Sequence, residues 1–129
     1  MAIVVGYVPT KEGRAALTHA VQEAKLRTTS LVVINSARGG RDMAEADQQT
    51  ELENLVSQMR ADGVDVDLRS LVRGLEPAED LIAIAEDINA DLIVIGLRRR
   101  TPVGKLILGS NAQRILLDAP CPVLAVKAD

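Results

Sequence analysis

No phenylalanine, no tryptophan and a single tyrosine, Tyr7, occur among the 129 residues. A chain so poor in rings has no aromatic platform on which to stack bases or a flavin, and its core has to be built from Val, Ile, Leu and Ala. One cysteine, Cys121, leaves no partner for an internal disulfide. Long apolar runs are missing as well, since none approaches the about 18 residues that span a bilayer. Nor is there an excess of one charge: 15 basic against 18 acidic side chains give a net charge of -3. That balance offers no global attraction to nucleic acid or anionic lipid. The opening MAIVVGY carries no basic n-region or cleavage signal, so the expected address is cytoplasmic. What is present, 47% hydrophobic and 26% charged residues, is the composition of a soluble globular chain, expected to fold as one domain over residues 1–129.

Five short runs rich in β-branched residues recur: Ile3 to Val5, Leu31 to Ile34, Val64 to Val72, Leu92 to Ile95 and Val123 to Val126. Segments of helical periodicity separate them, and such alternation calls for a parallel sheet. Four runs are continuously apolar, as strands covered on both faces must be, whereas Val64, Val66 and Leu68 alternate with Asp65, Asp67 and Arg69. The alternating strand belongs at an edge. In the first helix Thr10 is the N-cap and Leu17, Ala20, Val21 and Ala24 make one apolar stripe. Asp42 and Glu45 form a capping-box pattern ahead of Leu52, Leu55, Val56 and Met59, with Gly63 as the stop. Residues 35–41, NSARGGR, have no periodicity and read as a mobile loop. Pro77 opens a third helix with the face Leu81, Ile84, Ala85 and Ile88; a fourth runs from Asn111 to Asp118 and stops before Pro120 and Pro122. With right-handed crossovers these elements make an α/β three-layer sandwich, a doubly wound five-stranded parallel sheet of order 3-2-1-4-5 with four helices.

In that order the winding reverses between strands 1 and 4, and ligands of such sheets bind at the carboxyl ends beside that point. Two segments lie there: Gly6 to Thr10, and Gly96 to Asn111, which reads GLRRRTPVGKLILGSN. Gly96 lets backbone approach a ligand, and Gly109, Ser110 and Asn111 open a helix whose free N–H groups and positive dipole end suit a phosphate. The same residues serve equally as a plain helix cap. Arg98, Arg99 and Arg100 either clamp phosphate oxygens or form a solvated basic loop. Gly104 and Lys105 do not complete a P-loop, because Arg99 and Leu106 stand where a Gly and a Ser or Thr are required. The three-glycine dinucleotide pattern fails too, with Val8 and Lys11 in place of its second and third glycines.

Gly96, two residues, Arg99, nine residues, then Gly109 and Ser110: this spacing resembles the motif of the ATP-binding universal stress proteins, Gly, two residues, Gly, nine residues, Gly and Ser or Thr. The closing APCPVLAVK, residues 119–127, and YVPTKEGRAAL after the first strand are similar to the family as well, so the resemblance covers essentially the whole chain. It implies a Rossmann-like fold of the adenine nucleotide alpha hydrolase-like kind, a role in the stress response, and ATP or another adenine nucleotide as ligand, with Mg accompanying ATP. Carried over residue by residue, it puts Gly6, Tyr7 and Val8 near adenine and ribose and the backbone of Ser36 at the adenine edge. Gly96, Gly109 and Ser110 then surround the phosphates, where the chemistry of Arg98, Arg99, Arg100 and Asn111 would add donors. Two positions depart from the pattern: the middle glycine is Arg99, and the Asp that holds the ribose is Val8. Losing that carboxylate removes a charged hydrogen bond of about 1 to 3 kcal/mol, so weak affinity for ATP is expected. Tyr7 has a second reading, as a core residue with its hydroxyl at the surface. The resemblance further implies a homodimer, paired antiparallel through Val123, Leu124, Ala125 and Val126, and the edge position of that strand points the same way.

Three functional classes follow: a nucleotide-binding stress protein, an interaction or regulatory module of the same fold without nucleotide, and an enzyme. The enzyme has the least support, at most slow ATP hydrolysis, because the chain shows no carboxylate pair, no nucleophile with a base and no Asp at the end of the first strand to hold Mg. A response-regulator receiver is rejected by Tyr7 and Val8 where it needs acids. His19 lies off the first helix's stripe without a ligand partner, Cys121 reads as a small buried filler, and Met43 and Met59 read as packing residues. Asp42, Glu45, Asp47, Glu51 and Glu53 read as a solvated face.

Overall fold

Continuously apolar strands need cover on both faces, and the computed structural model, which describes residues 2–35, 43–70, 77–97 and 109–128, provides it for the runs around Val4, Val32 and Ile93 but leaves Val123, Leu124 and Ala125 half-exposed. The elements run β1 (Ala2–Tyr7), α1 (Lys11–Arg27), β2 (Ser30–Asn35), α2 (Met43–Ala61), β3 (Val66–Ser70), α3 (Pro77–Asp87), β4 (Leu92–Leu97), α4 (Ser110–Asp118) and β5 (Val123–Lys127). All neighbours are parallel, and the order is β3-β2-β1-β4-β5. Alternate side chains divide the core. Ile3, Val5, Leu31, Val33, Leu92 and Val94 pack with α1 and α2, while Val4, Val32, Ile34, Ile93 and Ile95 pack with α3 and α4. Each such side chain, fully withdrawn from water, contributes about 1.5 to 3 kcal/mol.

Helix ends follow their signals closely. Thr10 is extended, with φ -130°, and its hydroxyl accepts the Gly13 N–H at 3.1 Å. At the other end of α1, Thr28 takes the left-handed conformation, φ 52°, and the Thr29 N–H reaches back to the Ala24 carbonyl at 3.1 Å. Gly63, φ +93°, does the same for α2, with Gly63 N–H on Arg60 O at 3.0 Å and Val64 N–H on Met59 O at 3.1 Å. That stop explains one difference from the sequence reading. Val64 was expected to begin the third strand, but its N–H closes the helix, so β3 starts at Val66. Val64 and Val66 still point inward, while Asp65 and Asp67 face solvent at the edge. Asn35, expected at the head of a loop, is instead the last residue of β2, and α4 begins one residue early at Ser110. The capping residue Asp42, the rest of the 35–41 segment, and Leu71 and Val72 lie outside the described residues.

The two edge strands turn alternate backbone groups outward. In a parallel pair both groups of one residue face the same neighbour and those of the next face away. Ile93 N–H bonds Pro122 O at 3.0 Å, so on β5 the residues Val123, Ala125 and Lys127 direct their N–H and C=O to the open side. His19 and the acids Asp47, Glu51 and Glu53 are exposed, as their pattern suggested. Cys121, expected as a buried filler, is only half-buried against the α3 and α4 side of the core, and that burial, followed by the charge of Asp91, pushes its thiol up. Among the described residues no helix is long and apolar enough to cross a membrane.

Candidate functional site

β1 and β4 lie side by side at the centre of the sheet, with Val5 opposite Val94. β1 leads into α1 on one face, and β4 leads toward α4 on the other. Their carboxyl ends therefore flank the crevice at which the winding reverses. Gly6, Tyr7, Val8 and Gly96 stand at those ends. Because β4 and β5 are parallel, α4 has to start at the same end, which brings Gly109, Ser110 and Asn111 to the same side of the sheet. Ser36 and Arg98, Arg99 and Arg100 lie outside the described residues.

α1, α3 and α4 open at this end, and they differ in what they offer an anion. The donors of α1 are partly spent: Thr10 takes the Gly13 N–H through its hydroxyl and the Arg14 N–H through its carbonyl at 2.9 Å, and Glu12 sits in the first turn. α3 begins with Pro77, which has no N–H, and carries Glu79 and Asp80 in its first turn. α4 has neither defence. Its N-cap, Gly109, is extended at φ -67° and ψ 165°, makes no side-chain cap, and no acid follows in the first turn. Its carbonyl accepts the Gln113 N–H at 3.0 Å, which closes the helix but leaves the earlier N–H groups without a side-chain acceptor among the described residues. Ser110 and Asn111 are exposed beside them. Gly109 needs no left-handed conformation here, and as a glycine it brings no side-chain acceptor to its own helix.

Gly96 does something the sequence reading did not foresee. A Cβ built on it would meet the Glu12 carbonyl oxygen and stand 2.7 Å from the Glu12 carbonyl carbon. The backbone that approaches Gly96 is thus the first turn of α1. Gly13 repeats the device one residue on, where a Cβ would press on the Val8 carbonyl oxygen and lie 2.9 Å from its carbon. The two glycines seat the start of α1 between the carboxyl ends of β1 and β4. Gly13 was missed as a site-building residue, although a glycine in the first turn of a helix, costing up to about 1 kcal/mol against alanine, was a signal.

Tyr7 is packed into the core. Its side chain is 2% exposed and belongs to the core under α1 and α2. Burial raises its hydroxyl pKa above the usual 10.0, the Glu51 charge adds to the rise, and a hydrogen bond and charge from Arg14 oppose it. Val8 is half-buried and its carbonyl accepts the Thr10 N–H at 2.7 Å, so it brings no acceptor side chain to a ribose. Next to the position of Ser36, the Asn35 amide donates to Gln49 Oε1 at 2.6 Å and Gln49 donates to Glu53 at 3.2 Å, tying α2 to the end of β2. Among the described residues no three of His, Cys, Asp and Glu stand together as metal ligands. An open hollow of about 410 Å³ lies at the opposite end of the sheet, between the ends of α1 and α2, lined by Lys25, Thr28, Ser30 and Asp65. It is remote from the crevice.

A model of the universal stress protein family matches residues 1–127. A universal stress protein of Mycolicibacterium smegmatis is 44% identical over 126 residues, covering 97% of this chain and 96% of the relative. Among solved structures, a universal stress protein from Archaeoglobus fulgidus superposes with a TM-score of 0.82 at 37% identity, covering 98% of both chains. A second protein of that organism, solved in complex with dAMP, gives 0.75 at 31% identity with the same 98% coverage of each.

Proposed function

The chain belongs to the universal stress protein family, and on that ground we propose that it binds an adenine nucleotide in a stress-response role. The phosphates would lie on the first turn of α4 and the base and ribose over the carboxyl ends of β1 and β2. The observation that carries this reading is the contrast between three helix starts: of α1, α3 and α4, α4 alone presents N–H groups with no cap among the described residues and no acid in its first turn. The dAMP in the Archaeoglobus fulgidus relative supports an adenine base as the ligand class. Arg98, Arg99 and Arg100, in the segment leading to α4, supply fixed positive charge for a polyphosphate, which favours ATP over the monophosphate. Mg would accompany ATP on the phosphate oxygens. Val8 and the occupied space at Gly96 favour a second reading, an interaction module of the same fold that uses no nucleotide.

Gly109→Asp separates the two. An aspartate is a better N-cap by a few tenths of a kcal/mol, yet its carboxylate takes the N–H groups the phosphate needs. A like charge about 4 Å from a phosphate costs about 4 kcal/mol at an effective dielectric near 20, or roughly a thousandfold in affinity. Calorimetric titration with ATP and AMP should show that loss while the unfolding midpoint holds or rises. Unchanged affinity would remove the phosphates from α4, and wild-type protein that neither binds nor co-purifies with any adenine nucleotide would leave the interaction module.

We also propose a two-fold pair through β5. Its outward N–H and C=O groups at Val123, Ala125 and Lys127 are unsatisfied by the sheet, and Val123, Leu124 and Ala125 are half-exposed. Ala125→Pro removes one of the outward donors and should shift sedimentation to the monomer. Wild-type protein that sediments as a monomer refutes the pairing.

A further inference from the structure

We propose that Arg60 seals the β3 edge of the sheet and so confines self-association of this chain to a closed pair. The closed pair rests on the β5 pairing proposed above; the seal does not. Leu31 N–H bonds Asp65 O at 2.8 Å, so the next residue of β3, Val66, turns its N–H and C=O away from β2 toward the open side. On that outward carbonyl sits the Arg60 guanidinium, donating from Nε at 3.1 Å and from Nη2 at 2.8 Å. A strand adding to β3 would run about 4.8 Å away, and its own donor would have to occupy the place the guanidinium holds. The position of Arg60 is built into the chain. It lies in the last turn of α2, whose end is locked by Gly63 and by the Val64 to Met59 hydrogen bond, and the connection to β3 is short. An Asp67–Arg69 ion pair at 3.0 Å adds charge along the same strand, which further discourages a second strand.

β5 has no counterpart: among the described residues no side chain is hydrogen-bonded to the outward carbonyls of Val123 or Ala125. The asymmetry has a consequence for assembly. A two-fold pair through β5 leaves a β3 strand at each end of the joined sheet. If those ends accepted strands, every added pair would expose another, and the assembly would grow without closing. Arg60 stops it at two.

Sedimentation velocity from micromolar to near-millimolar protein tests this with Arg60→Ala, Arg60→Met, Ala125→Pro and the Arg60→Met, Ala125→Pro double variant. Met keeps the stem along α2 while deleting both donors, so it serves if the Ala variant loses cooperative unfolding. The Arg60 variants should form species larger than the wild type that grow with concentration, and the double variant should stop at two copies. Hydrogen exchange should slow at the outward amides of Val66 and Leu68 in the associated state. If wild-type protein and Ala125→Pro are both monomeric while Arg60→Met still pairs, the seal stands and the β5 pairing falls. Arg60 variants that sediment as the wild type at every concentration, or that associate with Val66 and Leu68 exchanging as before, overturn the seal.

Discussion

Gly96→Ala distinguishes a glycine kept for a ligand from a glycine kept for a helix. In a strand interior alanine is favoured over glycine by roughly 0.5 to 1 kcal/mol on backbone entropy alone. If Gly96 serves only to admit a ligand, the ligand-free variant should therefore be no less stable than wild type. The structure argues the opposite sign. The new Cβ would stand 2.7 Å from the Glu12 carbonyl carbon, against about 3.5 Å for an unstrained carbon pair, so the first turn of α1 must retreat by about 0.8 Å. Overpacking of this kind costs about 1 to 3 kcal/mol. The retreat also pulls Gly13 from the Thr10 hydroxyl, at 3.1 Å a cap worth about 1 kcal/mol. Set against the backbone gain of alanine, the net cost, about 1 to 3.5 kcal/mol, should lower the thermal midpoint of nucleotide-free protein by roughly 4 to 14 °C. Urea and thermal unfolding without ligand are the assays. A ligand-free Gly96→Ala as stable as wild type would refute the helix-seating account and return Gly96 to the ligand.

Thr28→Gly should stabilise the protein by about 1 kcal/mol in urea unfolding, because a β-branched residue at φ 52° carries a strain that glycine does not; an unchanged midpoint would mean that Thr28 recovers the strain elsewhere. Tyr7 is the one tyrosine and there is no tryptophan, so phenolate absorbance titrates this residue alone. Its folded pKa is raised by burial first and by Glu51 second. Its contribution to stability is thus full below the unfolded pKa near 10 and is lost as pH climbs from there through the folded value. The phenolate should appear above pH 10 together with loss of structure, and Tyr7→Phe should flatten the alkaline decline; ionisation at or below 10 in folded protein would contradict the burial.

Local and periodic features were readable from the residues alone. Apolar continuity in β1, β2 and β4 and alternation in β3 set the sheet and one edge, because strand side chains report which faces are covered, whereas the apolar run of β5 proved half-exposed at the other edge. Thr10, Gly63 and Pro77 marked helix ends through short-range chemistry that needs no tertiary partner. The Gly109, Ser110 and Asn111 run marked a helix start with no acid in its first turn, while the exposure of Ser110 and Asn111 beside that start came from the fold. Contacts between segments distant in sequence were decided only by the fold. Gly96 faces the backbone of Glu12, and Gly13 faces that of Val8; a glycine's spacing says that something comes close without saying what. Tyr7 could sit over the crevice or under the helices until strand register placed it on the α1 and α2 face with Ile3 and Val5. Arg60 reads as an ordinary basic residue at a helix C-terminus, and its bond to Val66 exists because the α2 turn lays the helix end beside the outward side of β3. Side-chain pattern encodes which face is buried; which backbone lies against that face is a property of three-dimensional packing.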